Sequence, residues 1–340
     1  MAAASPVRTT SDMTFLSYNP TGMSSDKISW VNDLLNTTKC TFAGIQEHFQ
    51  SQFSGGRKTI GKAVRVFNEG FPNYKCSVVP AVRGVGVTRG RAAGGLAQLC
   101  NKSVDLKCDK VSTSNNRLQC QIIELPSNIK IFWCNVYFPV DTGASRESFD
   151  ETELVTVLTE LENLMDQSSF DHCILGGDLN FEKSRTNNGF IQIVSEFCER
   201  LGVESTWDTF SVDFTHIHTD YKSVATLDHF LVNKDLLPFI TDCNVMHFGD
   251  NLSRHSPIMM RINVGDIPAR QRVVPPVSRR SPAWYKAKKD HLNSYTFNLH
   301  EKIDTLHVPQ SLSCRNPECK SEQHKNERDQ YMLDVLSSLC

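Results

Sequence analysis

Five short stretches of the chain place polar groups where an apolar, strand-like run gives way to a loop. The sharpest is Gly176-Gly177-Asp178-Leu179-Asn180, directly after the apolar run Cys173–Leu175. Strand side chains alternate faces with period two, so Asp178 and Asn180 are expected on one side. The glycines let backbone or ligand approach closely. A carboxylate there can orient a water or hold a cation, and a carboxamide can donate to a phosphate oxygen. Gly, Asp and Asn are also ordinary turn residues, so a plain turn is the competing reading.

The other four are weaker one by one. Glu47, in Gly44-Ile45-Gln46-Glu47-His48, sits where a Mg²⁺ ligand would, because Mg²⁺ takes one or two protein carboxylates plus waters. A solvated loop acid is the commoner role for a lone Glu. Asn19, after Phe15-Leu16-Ser17-Tyr18, reads equally as a turn residue. Asp228, in Thr226-Leu227-Asp228-His229-Phe230, is an acid within an apolar strand run and requires a partner. His255, in Ser253-Arg254-His255-Ser256-Pro257, precedes the last strand run. Pairing with an Asp would orient its ring and favour the protonated form, which suits an anionic transition state.

These residues need strands to carry them and helices to back the strands. Strand runs are expected at 13–18, 42–46, 96–100, 118–125, 129–138, 173–176, 226–232 and 258–262, rich in Ile, Val, Phe and Leu. Three helices are expected. One starts near Ser25, with Ile28, Val31, Leu34 and Leu35 on one face. A second starts at a capping box, Ser148 to Glu151, and carries Leu154, Leu158, Leu161 and Met165. The third aligns Ile191, Val194, Phe197 and Leu201 and stops at Gly202. The closely spaced runs 118–125 and 129–138 imply a hairpin, hence largely antiparallel or mixed sheets with outer helices.

The chain has 340 residues, 36 Lys+Arg against 38 Asp+Glu, and a formal charge of −2. That length supports one large α/β domain with a buried core. The total hides an asymmetry: about −6 for residues 1–267, +7 for 268–289 and −3 for 290–340. Residues 268–289 hold four prolines and no acid, as a basic, semi-extended linker would. The organisation expected is a disordered N-terminus (1–12), a catalytic domain (13–264), a basic Pro-rich linker (265–290) and a partly helical tail (291–340). The tail's apolar stripe Met332, Val335, Leu336 and Leu339 runs to the chain end, as if a further domain once followed. Twelve cysteines without any CxxC pair point to free thiols in a reducing compartment. Without an apolar leader or a run of roughly 20 apolar residues, the expectation is a soluble protein of nucleus or cytoplasm, with no membrane partner.

Order and spacing change the weight of the weak signals. The series SYNPTG, GIQEH, AAGGLA, NVYFP, GGDLN, TLDHFLV and SRHSPI resembles the endonuclease/exonuclease/phosphatase superfamily over about residues 13 to 263. The resemblance implies a deoxyribonuclease-I-like fold: a four-layer α/β sandwich, two mixed β-sheets flanked by helices. It implies Mg²⁺- or Mn²⁺-dependent hydrolysis of a phosphoester. Carried over, Glu47 binds the metal with Asn19 steadying it, and Asp178 activates the attacking water. Asn180 and Tyr137 contact the scissile phosphate, and His255, held by Asp228, stabilises the phosphoryl oxygens. One departure stands out. Members usually read Ser-Asp-His where this chain has Ser253-Arg254-His255, so a cation replaces a carboxylate that often helps at the metal. Arg254 would weaken metal binding or contact a phosphate directly, and Asp250 would partly compensate.

The block around Asp228 lacks the Pro-x-Trp-Cys-Asp-Arg pattern of phosphoinositide phosphatases. It is more similar to apurinic endonucleases and to the endonucleases of LINE-type retrotransposons. The basic linker followed by Cys314, Cys319 and His324 is similar to the segment between endonuclease and reverse transcriptase in such elements, which implies a downstream reverse-transcriptase domain in the ancestral polypeptide. Those three residues are one ligand short of a structural zinc site, so a polar loop is the default. Arg89 and Arg91, in an acid-free loop leading to Gly94-Gly95, are candidate contacts to a DNA backbone, and equally a solvated loop. The leading reading is a metal-dependent DNA endonuclease that nicks duplex DNA. The alternatives are an abasic-site endonuclease or other phosphoesterase of the same fold, and a catalytically impaired nucleic-acid-binding relic.

Overall fold

The computed structural model describes residues 12–51, 53–54, 57–58, 61–82, 92–140, 151–183, 189–219, 221–268 and Tyr331. The chain divides into two units, Met1–Arg272 and Val273–Cys340, and of the second only Tyr331 is described. The expected N-terminal segment (bar Asp12), the linker beyond residue 268, the zinc candidates, Arg89, Arg91 and the capping Ser148 all lie outside the described residues.

In chain order the strands are β1 (Asp12–Tyr18), β2 (Phe42–Ile45), β3 (Phe53–Ser54), β4 (Arg57–Lys58), β5 (Tyr74–Val79), β6 (Leu96–Asn101), β7 (Lys107–Val111) and β8 (Leu118–Glu124). They continue as β9 (Lys130–Tyr137), β10 (His172–Asp178), β11 (Val203–Ser205), β12 (His216–Ile217), β13 (Val224–Ala225), β14 (Asp228–Asn233), β15 (Ile240–Val245) and β16 (Ile258–Asn263). The helices are α1 (Ser25–Thr37), α2 (Lys62–Gly70), α3 (Glu151–Gln167) and α4 (Gly189–Leu201).

Two six-stranded mixed sheets carry the fold, ordered β15-β16-β1-β2-β6-β5 and β11-β14-β10-β9-β8-β7. In each, one parallel pair, β1/β2 or β10/β9, lies at the centre and the flanking pairs are antiparallel. Phe15, Phe42, Trp133, Ile174, Phe230 and Met260 fill the space between the sheets. Val31, Leu34 and Leu35 of α1 and Phe67 of α2 cover the outer face of the first sheet. Leu154, Val157 and Leu161 of α3 and Val194 and Phe197 of α4 cover the second. The result is the expected four-layer α/β sandwich. Among the described residues no helix is long and apolar enough to cross a membrane.

The expected helices fall where the periodicity put them. Ser24 caps α1 through its side chain, accepting from the Lys27 amide, and Gly202 ends α4 at φ +63°. The elements not expected are the four sheet edges, β5, β7, β11 and β15, the short pairs β3–β4 and β12–β13, and helix α2. Helix α2 buries only Ala63 and Phe67, and edge strand β7 buries no residue, so neither shows an apolar period.

A buried polar seam ties the sheets together. Asn135 of β9 donates through Nδ2 to the Ile45 and Ala97 carbonyls of the first sheet at 3.1 and 3.0 Å. Its Oδ1 accepts from Gln46 Nε2 at 2.7 Å. Directional bonds between two otherwise apolar faces hold one sheet in register with the other. Gly44 makes room for them, since a Cβ there would lie 2.8 Å from Asn135 Oδ1.

Candidate active site

The site forms at one end of the sandwich, where both central strand pairs stop. The second sheet contributes a row: Asp178 at the end of β10 is the register partner of Asp228 on one side and of Tyr137 on the other. Gly176 and Gly177 are needed to bring them so close. A Cβ on Gly177 would lie 1.8 Å from the Val136 carbonyl oxygen, and one on Gly176 would meet the Phe230 and Trp133 rings. The glycines before Asp178 are packing requirements of the sheet centre.

Two carboxylates directly opposite each other on paired strands repel, and both are buried, with Asp178 2% and Asp228 0% exposed. The first sheet supplies the remedy. His255, ahead of β16, bonds through Nδ1 to Asp228 Oδ2 at 2.9 Å, with Nε2 3.8 Å from Asp178 Oδ2. Burial alone would strip the proton from this imidazole, but Asp228 and Asp178 together outweigh it and raise its pKa to about 9. Burial also lifts Asp178 well above the ordinary carboxylate range, against the pull of the His255 charge. A protonated imidazole between two acids, one of which holds its proton unusually tightly, is equipped for acid–base work near neutral pH.

Asn19, beyond β1, links this trio to Glu47, beyond β2. Its Nδ2 donates to Glu47 Oε2 at 3.0 Å and to Asp178 Oδ2 at 2.9 Å. Its Oδ1 is turned away and accepts from the Thr21 amide at 2.8 Å. Tyr137 donates its hydroxyl to Glu47, and burial first, then the charges of Glu47 and Asp178, raise its pKa so that it stays a neutral donor. Thr21, Glu47, Phe49 and Asn180 all have φ between +47° and +56°, so the loops around the site hold non-glycine residues in a conformation they rarely adopt.

Asn180 departs from the expected strand alternation. The strand ends at Asp178, and Asn180 turns into the left-handed region at φ +47°. Its amide N–H donates to Asp178 Oδ1 at 3.1 Å and its Nδ2 to the Phe138 carbonyl at 3.0 Å. It buttresses the carboxylate instead of sharing a strand face with it. Asp228, too, begins its strand and does not lie within it.

The carboxylates of Glu47 and Asp178, drawn together by one amide, form a hard-oxygen pair of the kind Mg²⁺ or Mn²⁺ takes. Asp228 Oδ1 is buried without a hydrogen-bond partner, a further unmet acceptor at the site. The donor set therefore fits a divalent cation on the Glu47 side, with Asn19 steadying the carboxylates through its amide. Asp178, Asp228 and His255 also offer ligand atoms within 4.8 Å of one another. There the imidazolium already balances the acids, so that trio reads as an ion-pair relay.

Several supporting residues had no sequence signal. Thr215 Oγ1 accepts from the Leu227 and Asp228 amides at 2.9 and 3.0 Å, and its carbonyl accepts from the Ser256 amide at 2.7 Å, so it pins both halves of the Asp228–His255 pair. The His216 ring lies 4.4 Å from that of His255. Arg117 stacks over Tyr137 at 5.0 Å. Asn251 Nδ2 donates to the His255 carbonyl at 2.7 Å. Such residues are ordinary in sequence, and only the packing gives them a task. Asp250 is exposed and stands outside the buried acid cluster, and Arg254 lines the groove next to His255.

No protein-family model matches the sequence, and no curated protein matches it. Solved structures do share its architecture. The catalytic domain of Xenopus laevis APE2 superposes with a TM-score of 0.55 at 14% identity, covering 73% of this chain and 91% of that one. The 3′ phosphatase NExo from Neisseria, bound to a product DNA hairpin, gives 0.53 at 13% identity over 74% and 99%. The endonuclease domain of TRAS1, a telomere-specific non-LTR retrotransposon, gives 0.51 at 16% identity over 74% and 98%. The sandwich described here is thus the deoxyribonuclease-I-like fold of endonuclease/exonuclease/phosphatase proteins.

Proposed function

We propose that this chain is a divalent-metal-dependent phosphodiesterase, a DNA endonuclease of the retrotransposon type that nicks duplex DNA. The observation that carries this is the convergence, from two sheets, of Glu47, Asn19, Asp178, Asp228 and His255 at one end of the sandwich. A phosphodiester is anionic, so its hydrolysis is mainly a matter of positioning and charge neutralisation. Likeness to the NExo and TRAS1 folds and the order of the seven sequence blocks support the substrate class.

In this reading Glu47 holds the cation, with Asn19 bracing Glu47 and Asp178. When bound, Mg²⁺ or Mn²⁺ supplies Lewis-acid polarisation of a phosphoryl oxygen. Asp178, with its raised affinity for a proton, orients the attacking water and takes its proton. His255, held charged by Asp228, faces the developing negative charge. Tyr137 stays protonated, and its one hydroxyl proton would turn from Glu47 to the phosphate once Glu47 holds the cation, while Asn180 fixes the Asp178 carboxylate. Arg254 offers a guanidinium to a backbone phosphate where related proteins carry an acid.

Nicking of supercoiled plasmid in Mg²⁺ or Mn²⁺ is the direct test, run beside Glu47→Ala and His255→Ala. Wild type should nick and both variants should be nearly inactive. Undiminished nicking by both would sink the site assignment, and a strong preference for an abasic oligonucleotide would shift the reading to repair. Absence of nicking by wild type with either metal would favour the relic.

A further inference from the structure

A groove of about 690 Å³ is lined by Ile217 of β12, Tyr221 between β12 and β13, and residues of the segment from His247 to Arg254 that precedes β16. It begins at Ser253, whose Oγ donates to the Asn19 carbonyl at 2.8 Å, so its inner end touches the catalytic cluster. The site is rich in acids, yet among the described residues that line the groove none is acidic. Its charges are those of Arg254 and Lys27, the latter held in place by the Pro20 and Thr21 carbonyls. Asp213 adjoins the groove and is engaged by its lining residue His247 at 3.0 Å. The same groove exposes three large apolar side chains: Tyr221 at 78%, Leu252 at 47% and Phe248 at 41%.

Large apolar side chains left in water beside two cationic ones call for an occupant with both characters. A paired duplex keeps its base faces stacked and offers the rings only groove edges and sugars, not a face to stack on. A cleft of this size accepts groups of small-molecule dimensions, and an unpaired nucleotide fits that description: its phosphate suits Arg254 and Lys27, and its base has a face for Tyr221 or Phe248. Aromatic platforms in positively charged grooves are how proteins hold single strands.

Resting on the nuclease reading, we infer that this groove binds unpaired DNA flanking the cut. Substrates opened next to the scissile bond, such as bubbles and forks, are then preferred over continuous duplex. Stacking of one base is worth roughly ten- to hundredfold in affinity, and that sets the size of the preference.

The test uses the full chain in EDTA, where binding is read without cleavage. One fluorescent DNA sequence is presented fully paired or with a short unpaired bubble, and affinities are measured by anisotropy. Wild type should bind the bubble at least about tenfold more tightly. Tyr221→Ala combined with Leu252→Ser should erase that preference with little change for the paired duplex, while Tyr221→Trp should keep it. Both positions are exposed, so circular dichroism and Tm should be unchanged. Arg254→Gln should weaken both substrates and reduce the salt slope by about one. Equal affinity for bubble and duplex in wild type, or a preference that survives the double substitution, overturns the inference. Plasmid nicking separates it from the reading it rests on. Nicking without bubble preference defeats the groove alone, whereas aromatic-dependent bubble binding without nicking defeats the nuclease alone.

Discussion

The two sheets have the same plan and do different work. Both are six-stranded with one parallel pair at the centre, and matching strands end at the site: β1 with β10, β2 with β9, β16 with β14. The second sheet places its acids on the terminal residues of its strands, so Asp178 and Asp228 are register partners, buried and mutually repulsive. The first places Asn19, Glu47 and His255 in loops just outside its strands. One sheet builds an electrostatic fault and the other closes it with an imidazolium and an amide. The lesson is that the site belongs to the closure of the sandwich, which depends on Asn135 and Gln46 holding the sheets in register.

That contrast can be broken most severely at His255. His255→Ala should cut the nicking rate by roughly 10³- to 10⁴-fold. It should also lower stability by about 3–5 kcal/mol, because two buried acids lose their counter-charge. Adding Asp228→Asn should restore most of the Tm and none of the rate. Recovery of activity in the double variant would show that the Asp228–His255 pair has only a structural role.

Glycines at comparable depth in the two sheets should differ as well. Gly177→Ala forces a Cβ into the Val136 backbone and should cost about 3 kcal/mol or more in denaturant titrations. Gly44→Ala meets a side chain first, Asn135 with Oδ1 at 2.8 Å, and not backbone, and should cost less, about 1–2 kcal/mol.

Histidines give a pH signature with opposite signs. His48, beyond β2, accepts from the Gln50 amide at Nδ1, and its Nε2 meets the Val79 carbonyl at 3.1 Å, the pattern of a neutral ring. Burial lowers its pKa to about 4, against the raising effect of those carbonyls. The unfolded chain takes up this proton first, so stability should fall as pH drops from about 6.5 towards 4, by roughly 3 kcal/mol in all. His255 works the other way: its contribution is complete below about 6.5 and lost as pH rises towards 9. Urea midpoints across this range should flatten on the acid side in His48→Gln and on the alkaline side in His255→Gln.

A more local effect is expected at Asn19, which braces the carboxylates without meeting the substrate. Asn19→Ala should raise the Mg²⁺ concentration needed for half-maximal nicking by roughly 10- to 100-fold. An unchanged metal requirement would remove it from the metal side of the site.

Much of this was legible in the residues. Apolar runs located the eight strands that carry or back the site, since a buried strand must be apolar whatever lies beside it. Gly177-Asp178 read as a special strand end because only glycine tolerates such close backbone approach, and Asp228 asked for a partner because a buried acid needs one. Solvated elements such as β7 and α2 were not legible, since they bury too little to impose a period. Nor was the geometry of Asn180, whose left-handed backbone cancels the alternation assumed for it.

What the sequence determined by itself, then, is the inventory: which groups sit at strand ends, and which of them cannot stand alone in a core. Only the tertiary structure decided their pairing. Opposition of Asp178 and Asp228 depends on strand register, and the meeting of Asn19 with Asp178 spans 159 positions of chain and two sheets. The tasks of Thr215, His216 and Asn251 come from contact alone. Their residue types are common and their spacing is silent, because directional bonds between distant segments leave no local pattern to read.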